Sequence, residues 1–249
     1  MCSVEKDAAL FSDPFLRRLE ERHIVSYLKP SFRLLHIGCS DMTQLCTYAP
    51  LVQSLTVLES DGDYIAEADK EAKARKIGNL TFVRGDVENI PPEMKQGDFD
   101  CIISPQRLTA LQGWESQERA LGRLHSLLGA EGPLIISECF HDELEYLNKF
   151  RGKLGLSTFQ GNGISMPLMR PLLHGEFDIW ALKNFIIESL HDYGVYFFLT
   201  CIVQPLSSAD QKSQPDNALN EVALKLGAVT QKPVFREISA VLCYVLRKK

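Results

Sequence analysis

Five apolar segments of strand length alternate with helical segments over residues 32–138, and this alternation constrains the fold more than any other feature of the chain. In the first, an apolar run stops at Gly38 and a short polar turn follows before helix-like sequence resumes. Strands and helices that alternate at this spacing form βαβ units with parallel strands and right-handed crossovers. The sequence therefore predicts an α/β protein with a doubly wound parallel sheet.

The rest of the chain continues this pattern less regularly. An N-terminal helix is predicted over residues 12–29, because the capping residues Ser12 and Asp13 precede Pro14 and Pro30 ends the apolar stripe. After the fifth strand, glycines and prolines interrupt short apolar pieces, which predicts an irregular lid or substrate-binding insertion at about 140–176. The elements predicted beyond the first strand are strands at 54–58, 80–83, 99–104, 134–137, 196–203 and 240–246, and helices at 43–52, 63–77, 114–128, 178–193 and 217–226.

Composition and charge exclude several classes of function. The 249 residues suffice for a single α/β domain, predicted over 1–249, with a well-buried core. The net charge is −5, and the only basic run is Arg247-Lys248-Lys249, so a nucleic-acid partner is not expected. No apolar run reaches membrane length and the N-terminus lacks a signal sequence, so a cytoplasmic protein without membrane contact is predicted.

The seven cysteines do not form a metal-binding or disulfide pattern. They are odd in number, include no C-x-x-C pair, and mostly lie in or beside strand-like segments, as Cys101 and Cys243 do. The sequence predicts reduced cysteines that serve as small apolar core residues, and no metal site.

Acidic residues follow two of the predicted strands. Glu59 ends the second strand, 21 residues after Gly38, where a carboxylate can accept both ribose hydroxyls of a nucleotide, NAD included. Asp86 and Val87 follow the third strand. Each acidic residue also has a structural interpretation: Glu59 as a solvated loop carboxylate, and Asp86 as a turn residue that caps its own backbone.

Together these residues resemble the class I S-adenosylmethionine (SAM) dependent methyltransferases. The first motif of that family is an acidic residue, an apolar residue and then Gly-x-Gly-x-Gly. Here the same places hold His36-Ile37-Gly38-Cys39-Ser40-Asp41-Met42, so only the first glycine is retained. The resemblance implies a Rossmann-like seven-stranded sheet, with the last strand inserted antiparallel between the fifth and the sixth.

The resemblance also implies SAM as the cofactor and assigns it a site. Asp86 would accept from the adenine amino group, with Val87 against the ring, and Asp41 could supply the charge that His36 lacks. The acceptor is expected to be a small molecule, with His141 after strand five as a candidate general base and His174 as a second. The cofactor-binding residues implied are Gly38, Cys39, Ser40, Glu59, Ser60, Asp86, Val87 and Ser104.

Two other hypotheses remain open. The departures from the family motif at His36, Ser40 and Met42 favour a catalytically inactive, methyltransferase-like binding or scaffold protein. His36 itself is open between a role at the cofactor and a buried strand histidine bonded to backbone. An NAD-linked oxidoreductase would share Glu59, but it would need two glycines that the turn after Gly38 lacks.

Overall fold

The computed structural model describes residues 13–38, 42–159, 170–207, 217–229 and 235–249. Three residues of the first motif, Cys39, Ser40 and Asp41, lie outside these ranges. The predictions made for them therefore stay predictions.

One mixed sheet of seven strands forms the centre of the molecule, in the order β3-β2-β1-β4-β5-β7-β6. The first five strands pair in parallel, and β7 pairs antiparallel with both β5 and β6. The predicted seven-stranded sheet with an antiparallel last strand is confirmed. The strands are β1 (Arg33–Ile37), β2 (Ser54–Glu59), β3 (Leu80–Arg84), β4 (Cys101–Pro105), β5 (Pro133–Cys139), β6 (Phe185–Asp192) and β7 (Val241–Lys248).

Helices cover both faces of the sheet, as a doubly wound fold requires. The apolar core on one face includes residues of α4 and α6, and the core on the other face includes residues of α1, α2, α3, α5, α7 and α9. None of the helices in the described ranges is long and apolar enough to span a membrane. They are α1 (Pro14–Val25), α2 (Met42–Tyr48), α3 (Gly62–Ala74), α4 (Trp114–Leu127), α5 (His141–Lys153), α6 (His174–Asn184), α7 (Gly194–Phe198), α8 (Gln204–Ser207) and α9 (Asn217–Val229), with a π-helical turn at Leu199–Val203.

Part of the segment at 140–176, which was predicted to be irregular, is the regular helix α5, so the expectation of irregular structure is wrong for those residues. Its predicted role as a lid or substrate-binding insertion stays a prediction. The first turn of α5 is acidic and its last turn basic, as the helix dipole favours, and Leu144 and Leu147 are buried. Gly155, at φ +72°, lies just beyond the C-cap. Gly155 therefore marks the end of a helix, although a glycine at this spacing is also typical of a loop. Residues 160–169 lie outside the described ranges.

Two further elements after residue 177 were predicted wrongly. The segment 178–193 is the end of α6 followed by the edge strand β6, because pairing with β7 decides a stretch whose apolar residues suit either structure. The segment 196–203 is helical, with Tyr196, Phe197, Cys201 and Ile202 buried. A short continuous apolar run does not by itself distinguish a buried strand from a buried helix.

The cysteines within the described ranges have free thiols. Cys101, Cys139 and Cys243 are buried in strands, as predicted, whereas Cys201 is buried in the π-helical turn. Their packing among apolar side chains agrees with the role of small core residues.

Candidate active site

The carboxyl ends of the parallel strands meet at one edge of the sheet, and most of the predicted site residues lie there. Gly38 follows β1, Glu59 ends β2, and Asp86 lies two residues beyond the end of β3. His141 begins α5, just after β5. Since β3, β2 and β1 are neighbours in the sheet, the fold brings Asp86, Glu59 and Gly38 into one row at the edge where α/β proteins bind ligands.

Gly38 has a conformation and surroundings that favour glycine. Its φ is +63°, and its N–H donates to the Leu58 carbonyl at 2.7 Å, which ties the end of β1 to β2. A Cβ on Gly38 would lie 2.2 Å from Nε of Arg107, whose side chain crosses the backbone at this point. Arg107 could not be identified from the sequence, because nothing about it is distinctive except its place two residues after β4.

The geometry of His36 supports its structural interpretation. The side chain is buried, and Nδ1 lies 2.6 Å from the Gly38 carbonyl oxygen, so this nitrogen carries the proton and donates. Burial lowers the pKa of His36 to about 4, and the charge of Arg107 acts in the same direction against the Gly38 hydrogen bond. No described residue makes a hydrogen bond to Nε2. His36 is therefore a neutral imidazole that helps to fix the turn after β1.

Glu59 and Ser60 form a fixed carboxylate at the end of β2. Oε1 of Glu59 accepts from the Ser60 N–H at 2.7 Å, the Ser60 hydroxyl at 3.2 Å and the Asp61 N–H at 3.1 Å. Asp61 in turn caps α3 by accepting from the backbone of Asp63 and Tyr64. The structure thus brings Glu59 and Ser60 together, and the helix start that follows holds them in place.

Asp86 forms a turn with its own backbone. Its Oδ1 accepts from the Glu88 N–H at 2.7 Å and from the Asn89 N–H at 2.8 Å, and the Asn89 amide also donates to both carboxylate oxygens. Val87 is buried, and its carbonyl accepts from Arg123 at 3.0 Å. These contacts match the turn interpretation of Asp86, and they also hold its carboxylate beside β3.

Ser104 differs from the other predicted cofactor-binding residues because it lies inside β4. Its side chain is fully buried, and its hydroxyl makes no hydrogen bond to a described residue. The residues that reach the open edge here are Gln106, at φ +53°, and Arg107.

The two candidate histidines have different surroundings. His141 is 45% exposed, and its Nδ1 lies 3.3 Å from the Asp142 carboxylate. His174 is enclosed: its Nδ1 lies 2.6 Å from Glu143, and its Nε2 lies 2.6 Å from the hydroxyl of Tyr244. The hydrogen bond to Glu143 raises the pKa of His174 against the effect of burial. Because both ring nitrogens of His174 are engaged, His141 is the more available proton acceptor.

A buried glutamate anchors the turn after β4. Glu138 accepts from the backbone N–H groups of Arg107 at 2.7 Å, Leu108 at 2.8 Å and Thr109 at 3.3 Å. Burial raises the pKa of Glu138 to about 8, against the effect of these N–H donors. Gln117 adds a hydrogen bond to the Leu108 carbonyl at 3.2 Å. Glu138 is an acidic residue at the end of an apolar segment of strand length, and this sequence signal could have identified it. All residues of that strand, β5, are buried.

A second buried carboxyl, Glu20 of α1, reaches the ends of β4 and β5. Its Oε1 accepts from the Ser137 hydroxyl at 2.5 Å and from the Gln106 amide at 3.3 Å. Burial raises the pKa of Glu20 to about 7, although both hydrogen bonds lower it. Leu16, Glu20 and Ile24 are spaced by four residues on the buried face of α1, so the sequence signal was a charged residue within an apolar stripe.

Comparison with known proteins gives a consistent result for the fold and for the kind of domain at residues 34–132. A protein-family model described as a methyltransferase domain matches residues 34–132. The N-methyltransferase NodS from Bradyrhizobium japonicum WM9, in complex with S-adenosyl-L-homocysteine, is 13% identical, with a TM-score of 0.56 over 98% of this chain and 93% of that chain. A search of curated protein sequences finds no match.

Two other solved structures show what else this fold supports. Geranyl diphosphate C-methyltransferase from Streptomyces coelicolor A3(2) is 8% identical, with a TM-score of 0.60 over 94% of this chain and 80% of that chain. The [4+2]-cyclase SpnF is 15% identical, with a TM-score of 0.57 over 92% of this chain and 80% of that chain. Likeness at these identities shows the fold alone. The resemblance to the class I SAM-dependent methyltransferases is confirmed by the matched domain and by the shared fold.

Proposed function

Since residues 34–132 match a methyltransferase domain within a class I methyltransferase fold, we propose that this protein is an enzyme that transfers a methyl group from SAM to a small-molecule acceptor. The observation that supports this most strongly is the row of Asp86, Glu59 and Gly38 at the ends of three neighbouring strands. Asp86, Glu59 and Gly38 could contact, in this order, the adenine, the ribose and the methionine tail of SAM.

The residues in the row fit such a ligand. Gly38 leaves its backbone open to close approach, because it has no side chain and its φ of +63° suits glycine. Glu59 is held by the turn that follows it, so a ribose would meet an acceptor already in place. Asp86 with Val87 offers a carboxylate beside an apolar surface, a combination suited to an adenine edge and face.

The chain's own task in the reaction is mainly to position the reactants. SAM supplies a methyl group already activated on a sulfonium, so alignment and the exclusion of water provide most of the catalysis. His141 is retained as the candidate proton acceptor for an acceptor hydroxyl or amine. The carboxylates of Glu59 and Asp86 remain hydrogen-bond acceptors throughout.

The acceptor side of the site is proposed to lie over the ends of β4 and β5. Glu20, Gln106 and His141 are among the polar residues there, and the net charge of −5 does not favour a polyanionic substrate. The structurally similar proteins include an N-methyltransferase, NodS, and a C-methyltransferase that acts on geranyl diphosphate. The cover predicted for about 140–176 remains part of the proposal, with α5 and the bridge between Phe140 and Leu172 as its described parts.

A catalytically inactive, methyltransferase-like binding protein is the second candidate. The Arg107 side chain lies against Gly38, and the carboxylates of Asp86 and Glu59 both accept hydrogen bonds from the backbone of the residues that follow them. These contacts would also be expected if the three residues had only a structural role. SpnF, which has the same fold, is a cyclase, so the fold does not require methyl transfer.

A binding experiment with matched variants distinguishes these candidates. Asp86→Ala and Glu59→Gln should each weaken the binding of S-adenosylhomocysteine by about tenfold or more, since each removes a carboxylate that accepts hydrogen bonds from the ligand. Asp98→Ala is the control for Asp86→Ala, because Asp98 also accepts from backbone in a turn, at 2.6 Å from the Lys95 N–H, but before the start of β4. Isothermal titration calorimetry measures the affinities of the wild type and of the three variants. Equal affinities for wild type and both site variants would place the ligand elsewhere and favour the second candidate.

A further inference from the structure

Among the residues that the structure describes, Arg107 at the edge of the candidate site is a cation without a partner. Arg107 is half-buried and its guanidinium lies against Gly38, yet its side chain makes no hydrogen bond or ion pair with any other residue in the described ranges. A charged group removed from water normally has a partner of opposite charge, because desolvation is otherwise uncompensated. An anion that binds here would supply that partner.

The backbone of Arg107 is held in place, so the side chain has a fixed origin. Its N–H donates to the buried Glu138 at 2.7 Å, and Gln117 holds the next residue, Leu108, through the carbonyl oxygen. Only the side chain can move, and it has no hydrogen bond to break when it leaves Gly38. It can therefore turn toward a ligand at little cost.

The neighbouring groups favour an anion at this position. His36 stands where related proteins carry an acid, and it is a neutral imidazole bonded to the Gly38 carbonyl. An acid at that position would have neutralised Arg107 and attracted a cationic group of the ligand. With a neutral histidine and a guanidinium that no described residue pairs, this part of the chain presents positive charge to a group that lies over Gly38.

The strand order indicates which part of the ligand arrives there. Asp86 follows β3, Glu59 ends β2 and Gly38 follows β1, and β4, which leads to Arg107, is the next strand in the sheet. A ligand with its adenine beside β3 and its ribose beside β2 therefore extends its amino-acid tail across Gly38 toward Arg107. The anionic group of that tail is an α-carboxylate, which a planar guanidinium binds through two parallel hydrogen bonds.

We propose that Arg107 binds the α-carboxylate of the SAM methionine tail and so replaces, with a contact of opposite sign, the recognition that His36 cannot provide. This inference rests on the proposed function. Arg107 then selects nucleosides that carry the carboxylate. Glu138 is a positioning residue, because it holds the backbone from which the Arg107 side chain extends.

The test compares two ligands that differ in one group. SAM and decarboxylated SAM share the adenosine, the sulfonium and the amine, and only SAM has the carboxylate. Calorimetry should show that the wild type binds SAM more tightly than decarboxylated SAM. Arg107→Gln should weaken the affinity for SAM by about tenfold or more and leave the affinity for decarboxylated SAM unchanged. Arg107→Lys should retain part of the preference, because a lysine keeps the charge and loses the two-point geometry. Arg119→Gln, which removes an exposed arginine of α4, should change neither affinity.

Each other outcome overturns a defined part of the account. If Arg107→Gln lowers the affinity for both ligands equally, or raises both affinities, the side chain does not bind the carboxylate. The inference is then wrong, while the proposed function stands. If neither ligand nor S-adenosylhomocysteine binds wild type or any variant, the proposed function fails and the inference fails with it. Thermal melting of each variant confirms that it is folded.

Discussion

At the scale of single residues, Gly38 shows how a site can require the absence of a side chain. It combines a φ of +63° with a position where a Cβ would meet Arg107. Gly97 has a similar φ of +76°, but a Cβ there would meet no atom within 4 Å. The pair therefore separates the backbone cost of replacing a glycine from the effect on the site.

The prediction is that Gly38→Ala and Gly97→Ala destabilise the protein to a similar extent and differ in ligand binding. Each should lower the free energy of unfolding by about 1 kcal/mol, the cost of alanine at positive φ. Only Gly38→Ala should weaken the binding of S-adenosylhomocysteine. Urea denaturation and calorimetry measure the two effects, and comparable ligand affinity in both variants would mean that the ligand does not pass over Gly38.

Glu20 should make the stability of the protein depend on pH. Burial raises its pKa from 4.5 to about 7, so the unfolded chain loses this proton at lower pH than the folded chain does. The stabilisation is therefore complete below pH 4.5 and is lost as the pH rises through about 7. Glu138, whose pKa is raised to about 8, adds a change of the same sign.

The expected result is that Glu20→Gln reduces the loss of stability between pH 5 and pH 8 by about 2–3 kcal/mol. Urea denaturation at both pH values measures the loss, and Glu71→Gln, which removes an exposed carboxylate of α3 paired with Arg75, is the control. If Glu20→Gln showed the same pH dependence as wild type, Glu20 would not hold a proton in the folded protein.

At the scale of elements, the turn after β4 depends on one side chain from the neighbouring strand. Three consecutive N–H groups, those of Arg107, Leu108 and Thr109, donate to the Glu138 carboxylate. These groups begin the short 3-10 helix Leu108–Ala110, and without Glu138 they would be buried and unpaired. The arginine at the site is thus positioned by a residue of β5.

We expect Glu138→Ala to destabilise the protein by about 2–4 kcal/mol, since it leaves buried donors unpaired. Glu138→Gln should cost less, because its one carbonyl oxygen can still accept from Arg107 and Leu108. Hydrogen exchange of the amides of residues 107–109 should accelerate in the order wild type, Gln, Ala. An increase spread evenly over the chain would show that Glu138 supports global stability and not this turn.

At the scale of the whole molecule, the sequence predicted the first half of the fold better than the second. Over residues 33–139 each strand is followed by a local turn or helix signal, so the pattern of β1 to β5 is visible in the sequence. The edge strand β6 is fixed by its pairing with β7, a contact between segments distant in sequence. The run at 196–203 became helical because packing against other elements decided between two structures that its apolar residues allow.

The candidate site was predictable where a residue follows a strand end directly. Glu59, Asp86 and His141 could be placed at the sheet edge from the strand pattern alone, and the structure places them there. Arg107, Glu20 and Glu138 act through contacts between distant segments, so their partners could not be inferred from local sequence. Ser104 was placed in the right strand, but its side chain is enclosed within the fold.

The measurement that tests the central claim most directly is a calorimetric titration of the wild-type protein with S-adenosylhomocysteine, with NADH as the comparison ligand. We expect one site with micromolar affinity for S-adenosylhomocysteine and no binding of NADH, because the sequence after Gly38 lacks the glycine-rich turn that a dinucleotide requires. The absence of heat at millimolar S-adenosylhomocysteine, from a protein that melts cooperatively, would contradict the claim that these strand ends form a cofactor site.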